Sequence, residues 1–104
     1  MLNKVYQVPY GTKDILPGEM KRRRKIENAI LDVFENWGYE EVKTPGFEYA
    51  DTFGSMVKDS DFRFFDRNNN LLVLRNDMTA PIARLAATRL QQGEKAKRLC
   101  YLAN

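Results

Sequence analysis

Residues 71–87 read Leu-Leu-Val-Leu-Arg-Asn-Asp-Met-Thr-Ala-Pro-Ile-Ala-Arg-Leu-Ala-Ala. Four apolar residues of strand length come first. From Thr79 onward the spacing turns helical, with Ile82, Leu85, Ala86 and Leu90 at three- and four-residue steps. The polar turn between them puts Arg75, Asp77 and Thr79 where a strand ends and a helix begins. Backbone amides are unpaired at such a junction, and ligands are often held there. The competing reading is that Asp77 and Thr79 only cap the helix. Thr79 fits an N-cap, and Pro81 fits the first turn because its missing N–H has no partner there in any case. The spacing predicts a helix over about 80–92, closed by Gly93.

Working back from this stretch, residues 62–66 and 71–75 read as two strands. The Asp-Arg-Asn-Asn-Asn loop at 66–70 suits a hairpin, because asparagine tolerates positive φ. Phe47, Tyr49, Phe53 and Met56 are expected in a loop and short helix, with an exposed connection at 55–61. A short strand is expected at 39–43, stopped by Pro45. Before it, Ile26, Ile30, Val33, Phe34 and Trp37 form one apolar stripe of a helix over 19–37, with Pro17 before it and Gly38 after it. Residues 1–18, with two prolines and two glycines, are an irregular arm. Its Val5, Val8, Tyr10, Ile15 and Leu16 are expected to pack on something. A last strand is expected over 98–103.

The chain has 104 residues, 43% hydrophobic and 30% charged, which suits one small domain with a thin core. It has no histidine, so these residues exclude His-based acid–base catalysis, Ser-His-Asp and Cys-His nucleophiles and most zinc sites. The single cysteine, Cys100, cannot form an internal disulfide and reads as a buried reduced thiol. Net charge is +3, short of a nucleic-acid stripe. The one basic cluster, Lys-Arg-Arg-Arg-Lys at 21–25, reads as a solvated helix face, or else as a contact to phosphate or an acidic partner. No apolar run is long enough to span a membrane, and no signal segment is apparent, so a cytoplasmic location is expected. The chain stops on an apolar strand, which suggests a fragment of a longer protein.

The combined motifs carry a resemblance. They are Gly-Thr-Lys-Asp-Ile-Leu-Pro at 11–17, Gly-Tyr-Glu-Glu-Val-Lys-Thr-Pro at 38–45, Phe-Arg-Phe-Phe-Asp at 62–66, Leu-Val-Leu-Arg-Asn-Asp-Met-Thr at 72–79 and Arg-Leu-Cys-Tyr-Leu-Ala-Asn at 98–104. In this order the chain resembles the N-terminal part of the histidyl-tRNA synthetase-like proteins. Within them it is most similar to the ATP phosphoribosyltransferase regulatory subunits. The resemblance implies an α+β class II aminoacyl-tRNA synthetase-like fold: an incomplete antiparallel sheet with flanking helices, covering motif 1 and the start of motif 2 within residues 1–104.

The 19–37 helix and the strand ending at Pro45 would be motif 1, which makes Ile30, Phe34, Trp37 and Pro45 candidates for a dimer interface. The alternative is that the helix stripe packs only inward. A histidyl-tRNA synthetase resembles Leu-Arg-Pro-Glu-Gly-Thr at the opening stretch. This chain has Asp77 for the glutamate, Met78 for the glycine and a retained Thr79, the pattern of the regulatory subunits. The resemblance therefore implies a histidine-binding role for Asp77 and Thr79. Where those subunits carry proline, this chain has Asn76, which leaves the turn less fixed. It also implies no catalytic residues, no metal and no cofactor. The expected partners are a short-form ATP phosphoribosyltransferase catalytic subunit, further copies of the chain and histidine as effector, with tRNA an improbable one. The rival reading is the N-terminal part of a histidyl-tRNA synthetase.

Overall fold

Pro17 has no amide hydrogen to leave unpaired, and it opens helix α1 (Pro17–Asn36) at the first helical position. The helix ends where Trp37 donates its amide to the Val33 and Phe34 carbonyls at 3.2 and 3.1 Å. Gly38 then takes φ +81°, the left-handed conformation that terminates helices. The computed structural model describes residues 3–90 and 98–104, in two compact units that divide after Gly38.

In the first unit α1 buries none of its side chains. Ile26, Ile30, Val33 and Trp37, spaced by four, three and four, are all exposed, with Trp37 at 68%. The basic run on the same helix is partly paired: Arg23 lies 3.6 Å from Glu19, and Arg24 lies 3.1 Å from Glu27. These exposed pairs contribute little stability but fit a solvated face. The arm before α1 is irregular apart from one 3-10 turn at Lys4–Tyr6. Its apolar residues do not pack as the sequence suggested; Val5, Val8, Tyr10, Ile15 and Leu16 are all exposed. The arm's own ties are local turns, such as the Thr12 hydroxyl and amide both donating to the Pro9 carbonyl, and local turns bring no apolar surface over it.

Among the described residues, the second unit holds five strands. β1 (Tyr39–Glu41) pairs with β5 (Arg98–Cys100) in parallel, Glu40 opposite Leu99. β2 (Phe47–Tyr49), β4 (Leu71–Leu74) and β3 (Arg63–Phe65) form an antiparallel sheet in that order. The expected hairpin is present, with Phe65 opposite Leu71. Its loop is closed by Asp66, whose Oδ1 accepts the Asn68 and Asn70 amides at 2.9 and 2.8 Å, and Asn69 takes the expected positive φ of 63°.

β2 corrects the sequence reading, which placed Phe47 and Tyr49 in a loop. In this strand the usual alternation is inverted: Phe47 and Tyr49 are exposed and Glu48 is buried at 7%. The three residues do alternate, but a period-2 pattern this short is weak, and it points the aromatics rather than the carboxylate inward. On the outward face, the Phe47 and Phe64 rings meet edge-on with centroids 5.5 Å apart. This is a favoured aromatic geometry.

On the inward face, Val73 is fully buried between Phe53 of helix α2 (Ala50–Phe53) and Ala80 of helix α3 (Thr79–Arg89), with Ala50 and Val57 packed around them. Here α3 departs from expectation. It starts one residue earlier, and its buried residues are Ala80 and Pro81 in the first turn, while Ile82, Leu85, Ala86 and Leu90 are half-buried. The small first turn lets the helix start sit directly on Val73, so the stripe further along is only partly covered. The predicted end of this helix, residues 91–93, lies outside the described residues. Cys100 is buried with a free thiol, as expected.

Candidate functional site

The junction of β4 and α3 is built by three consecutive polar side chains, each with a distinct task. Arg75 continues the β2–β4 ladder by donating its amide to the Gly46 carbonyl at 3.1 Å. Its guanidinium Nη1 reaches the Pro45 and Thr44 carbonyls at 3.0 and 3.4 Å. Arg75 therefore fixes the connection between β1 and β2 under the site. Asn76 donates through Nδ2 to Asp61 Oδ2 at 2.8 Å. Asp77 turns its carboxylate back onto the helix start, where Oδ1 accepts the Met78 and Thr79 amides at 2.6 and 3.2 Å.

The capping role expected of Thr79 thus belongs to Asp77, and Thr79 is the first helical residue. An aspartate can accept two orphan amides at once, and its negative charge suits the positive end of the helix dipole, so it displaces the neutral hydroxyl from that task. The Thr79 hydroxyl instead lies 3.3 Å from each Asp77 oxygen. The backbone amides of Thr79 and Met78 hold the Asp77 carboxyl below its ordinary value of 3.8, helped by the Thr79 hydroxyl and the positive charge of Lys58. It is an anion at any physiological pH.

The sign of the resulting pH dependence follows directly. A carboxyl depressed in the fold contributes stability that is complete above its unfolded value and is lost as pH falls through the lower folded one. Denaturant titrations repeated from neutral to acidic pH should show a shallower loss of stability at the acid end for Asp77→Ala than for the parent chain.

Asp77 is also at the edge of a cavity. Arg75, Asn76, Asp77 and Met78 line a space of about 450 Å³ together with Tyr101, Leu102, Ala103 and Asn104. The volume would admit a small molecule, but the space is an open cleft and not an enclosed pocket. One wall is the β4–α3 turn and the other is the segment that follows β5; residues 101–104 gave no sequence signal for this role. Among the described residues no three His, Cys, Asp or Glu side chains gather into a metal site. None of the described helices is long and apolar enough to cross a membrane.

Of the interface candidates, Ile30 and Trp37 are exposed on α1 and Phe34 is half-buried there. Pro45 is exposed in the β1–β2 connection, where its carbonyl receives Arg75. Sequence reasoning missed the ion pair that ties α3 to the sheet. Arg84 donates through Nε and Nη2 to the two carboxylate oxygens of Glu48 at 3.0 and 3.1 Å. The two-pronged match fixes the helix over the sheet in one orientation. Its only sequence signal is a charged residue at 48 between two aromatics.

The antiparallel sheet with helices on its inner side, and the acidic turn at its β4–α3 junction, belong to a class II synthetase-like fold, as the solved structures it superposes on show. Residues 11–104 match the family model described as histidyl-tRNA synthetase, and the chain belongs to that family. It is 46% identical over 105 residues to the ATP phosphoribosyltransferase regulatory subunit of Moorella thermoacetica, covering 97% of this chain and 27% of the relative. It is 44% identical over 98 residues to the same subunit of Thermoanaerobacter pseudethanolicus, covering 93% of this chain and 26% of the relative. Among solved structures, an ATP phosphoribosyltransferase regulatory subunit/histidyl-tRNA synthetase from Bacillus halodurans C superposes with a TM-score of 0.82 at 38% identity, over 94% of this chain and 27% of that one. The apo histidyl-tRNA synthetase of S. aureus superposes at 0.77 and 30% identity, over 91% of this chain and 24% of that one. The chain thus spans about a quarter of the length of the relatives it matches.

Proposed function

We propose that these residues are the N-terminal part of a regulatory subunit of ATP phosphoribosyltransferase, carrying motif 1 and the start of motif 2. In this reading the subunit performs no catalysis. It is required for the activity of a short-form catalytic subunit in the first step of histidine biosynthesis, and it carries feedback inhibition by histidine in the cytoplasm. The observation that carries the reading is the Asp77 carboxylate, anionic and held by two backbone amides beside an open cleft. The names of the relatives, which are 40–46% identical, point the same way.

The chemistry suits an α-amino acid. The Asp77 carboxylate, fixed in place by the helix start, can accept hydrogen bonds from an α-ammonium group. The Thr79 hydroxyl donates toward Asp77 and keeps its lone pairs free to accept from the same ammonium. Self-association through the exposed face of α1 around Ile30, Phe34 and Trp37, with Pro45 contributing, is part of the proposal.

Calorimetric titration of histidine into the protein expressed from the complete reading frame tests the site. Asp77→Ala is expected to weaken binding by about tenfold or more, the usual cost of removing a charged hydrogen-bond partner. Added to a short-form phosphoribosyltransferase, the parent protein should raise activity and make it sensitive to histidine. A protein that charges tRNA with histidine and leaves that enzyme unchanged would refute the reading.

A further inference from the structure

Asn76 lies in the middle of the site turn, and its side chain reaches sideways to a separate loop. That loop is a closed turn. The Asp61 amide donates to the Lys58 carbonyl at 3.0 Å, and the Lys58 amide donates to Asp61 Oδ2 at 2.7 Å. Arg63 at the start of β3 also donates to the Lys58 carbonyl, through Nη2 at 3.0 Å, so the turn is anchored to the sheet. The same Asp61 oxygen receives Asn76 Nδ2 at 2.8 Å, fifteen residues away in sequence.

We propose that Asn76 and Asp61 are a positioning pair: the sheet-anchored 58–61 turn holds residue 76 sideways and thereby presets the Asp77 carboxylate that faces the cavity. Without a proline to restrict φ at position 76, a side-chain bond to a rigid neighbour does the same work. The pair also keeps Lys58 near enough to depress the Asp77 carboxyl further. Asn76 also lines the cavity whereas Asp61 does not, so Asp61→Ala is the arm that reports positioning alone. Their effect on ligand binding rests on the function proposed above, while their effect on Asp77 does not.

The experiment uses the complete protein as Asn76→Ala, Asp61→Ala and the double variant, with hydrogen exchange read by mass spectrometry. In the absence of ligand, amides in the segment 75–82 should exchange about five-fold faster in each single variant, the typical effect of one hydrogen bond. Exchange in the segment around Val73 should stay unchanged, which a general loss of stability would not allow. The double variant should be no worse than the worse single variant, because a pair broken once cannot be broken again. Additive effects, or exchange that rises everywhere, would overturn the pairing. In the binding arm, the singles should weaken histidine affinity by a similar factor. If the parent protein binds histidine and the singles bind it equally well, the pair does not serve the site. If the parent binds no histidine, the functional reading fails and the exchange data still decide the pair.

Discussion

Arg84→Ala is expected to lower the folding stability of the second unit by about 3 kcal/mol, the lower end of what breaking a buried ion pair costs. Glu48 is 6% exposed at its side chain and Arg84 is 33% exposed. Removing the guanidinium therefore leaves a carboxylate in the interior with neither of its two donors. Water can reach the charge in part through the space the one-third-exposed arginine leaves, which is why the lower end of the range applies. The pair itself adds less than this, because bringing both groups out of water already cost much of their attraction. Glu48→Leu combined with Arg84→Met should consequently recover most of what Arg84→Ala loses. Urea unfolding followed by circular dichroism measures both. If Arg84→Ala unfolds at the same midpoint as the parent, the bidentate contact is not what holds α3 on the sheet.

A loss of comparable or greater size is expected for Phe53→Ala. Phe53 is 2% exposed and packs on Val73, itself fully buried, and on Ala80. Phenylalanine-to-alanine changes in cores cost roughly 3–5 kcal/mol, part transfer and part cavity. A small domain has about 5–15 kcal/mol of stability in all, so this one change should remove a large share. The control is Phe65→Ala on β3, where the ring is 64% exposed; surface changes of that kind usually stay within about 0.5 kcal/mol. The comparison of midpoints at unchanged denaturant slope separates core loss from a change in the unfolded state. Equal effects at the two positions would show that the cluster around Val73 is not the core.

Local signals in the sequence were sufficient for the β3–β4 hairpin, for α1 and for the strand-turn-helix at 71–89. Each depends on near neighbours: an asparagine loop, a proline before a helix and a glycine after it, an apolar run meeting a polar turn. Asp77 was legible as a candidate at this turn: it accepts the amides at the start of α3 and lines the cavity, and its contact to histidine is the proposal made above. Information that depends on a distant partner was not legible. Glu48 looks like a surface residue until Arg84 is placed opposite it. Arg75 has no evident task until the Pro45 carbonyl is brought within 3.0 Å. The burial of Ala80 and Pro81 in place of the later stripe of α3 depends on how close the helix start comes to Val73, and spacing along the helix does not encode that.

The parallel pairing of β1 with β5 has a consequence for the order in which the chain can assemble. The strand pairing of the antiparallel sheet draws only on residues between Phe47 and Leu74, although its inner face is covered by α3. The edge of β1, by contrast, waits for Arg98 to Cys100. On a ribosome the sheet can pair while synthesis continues, but Tyr39 to Glu41 must wait for β5 to leave the exit tunnel before that pairing can form. Contacts this far apart in sequence are also slow to form in free solution. The β1–β5 pair is therefore expected to form after the antiparallel sheet has paired, and the cavity wall formed by residues 101–104 cannot be in place before β5 has docked.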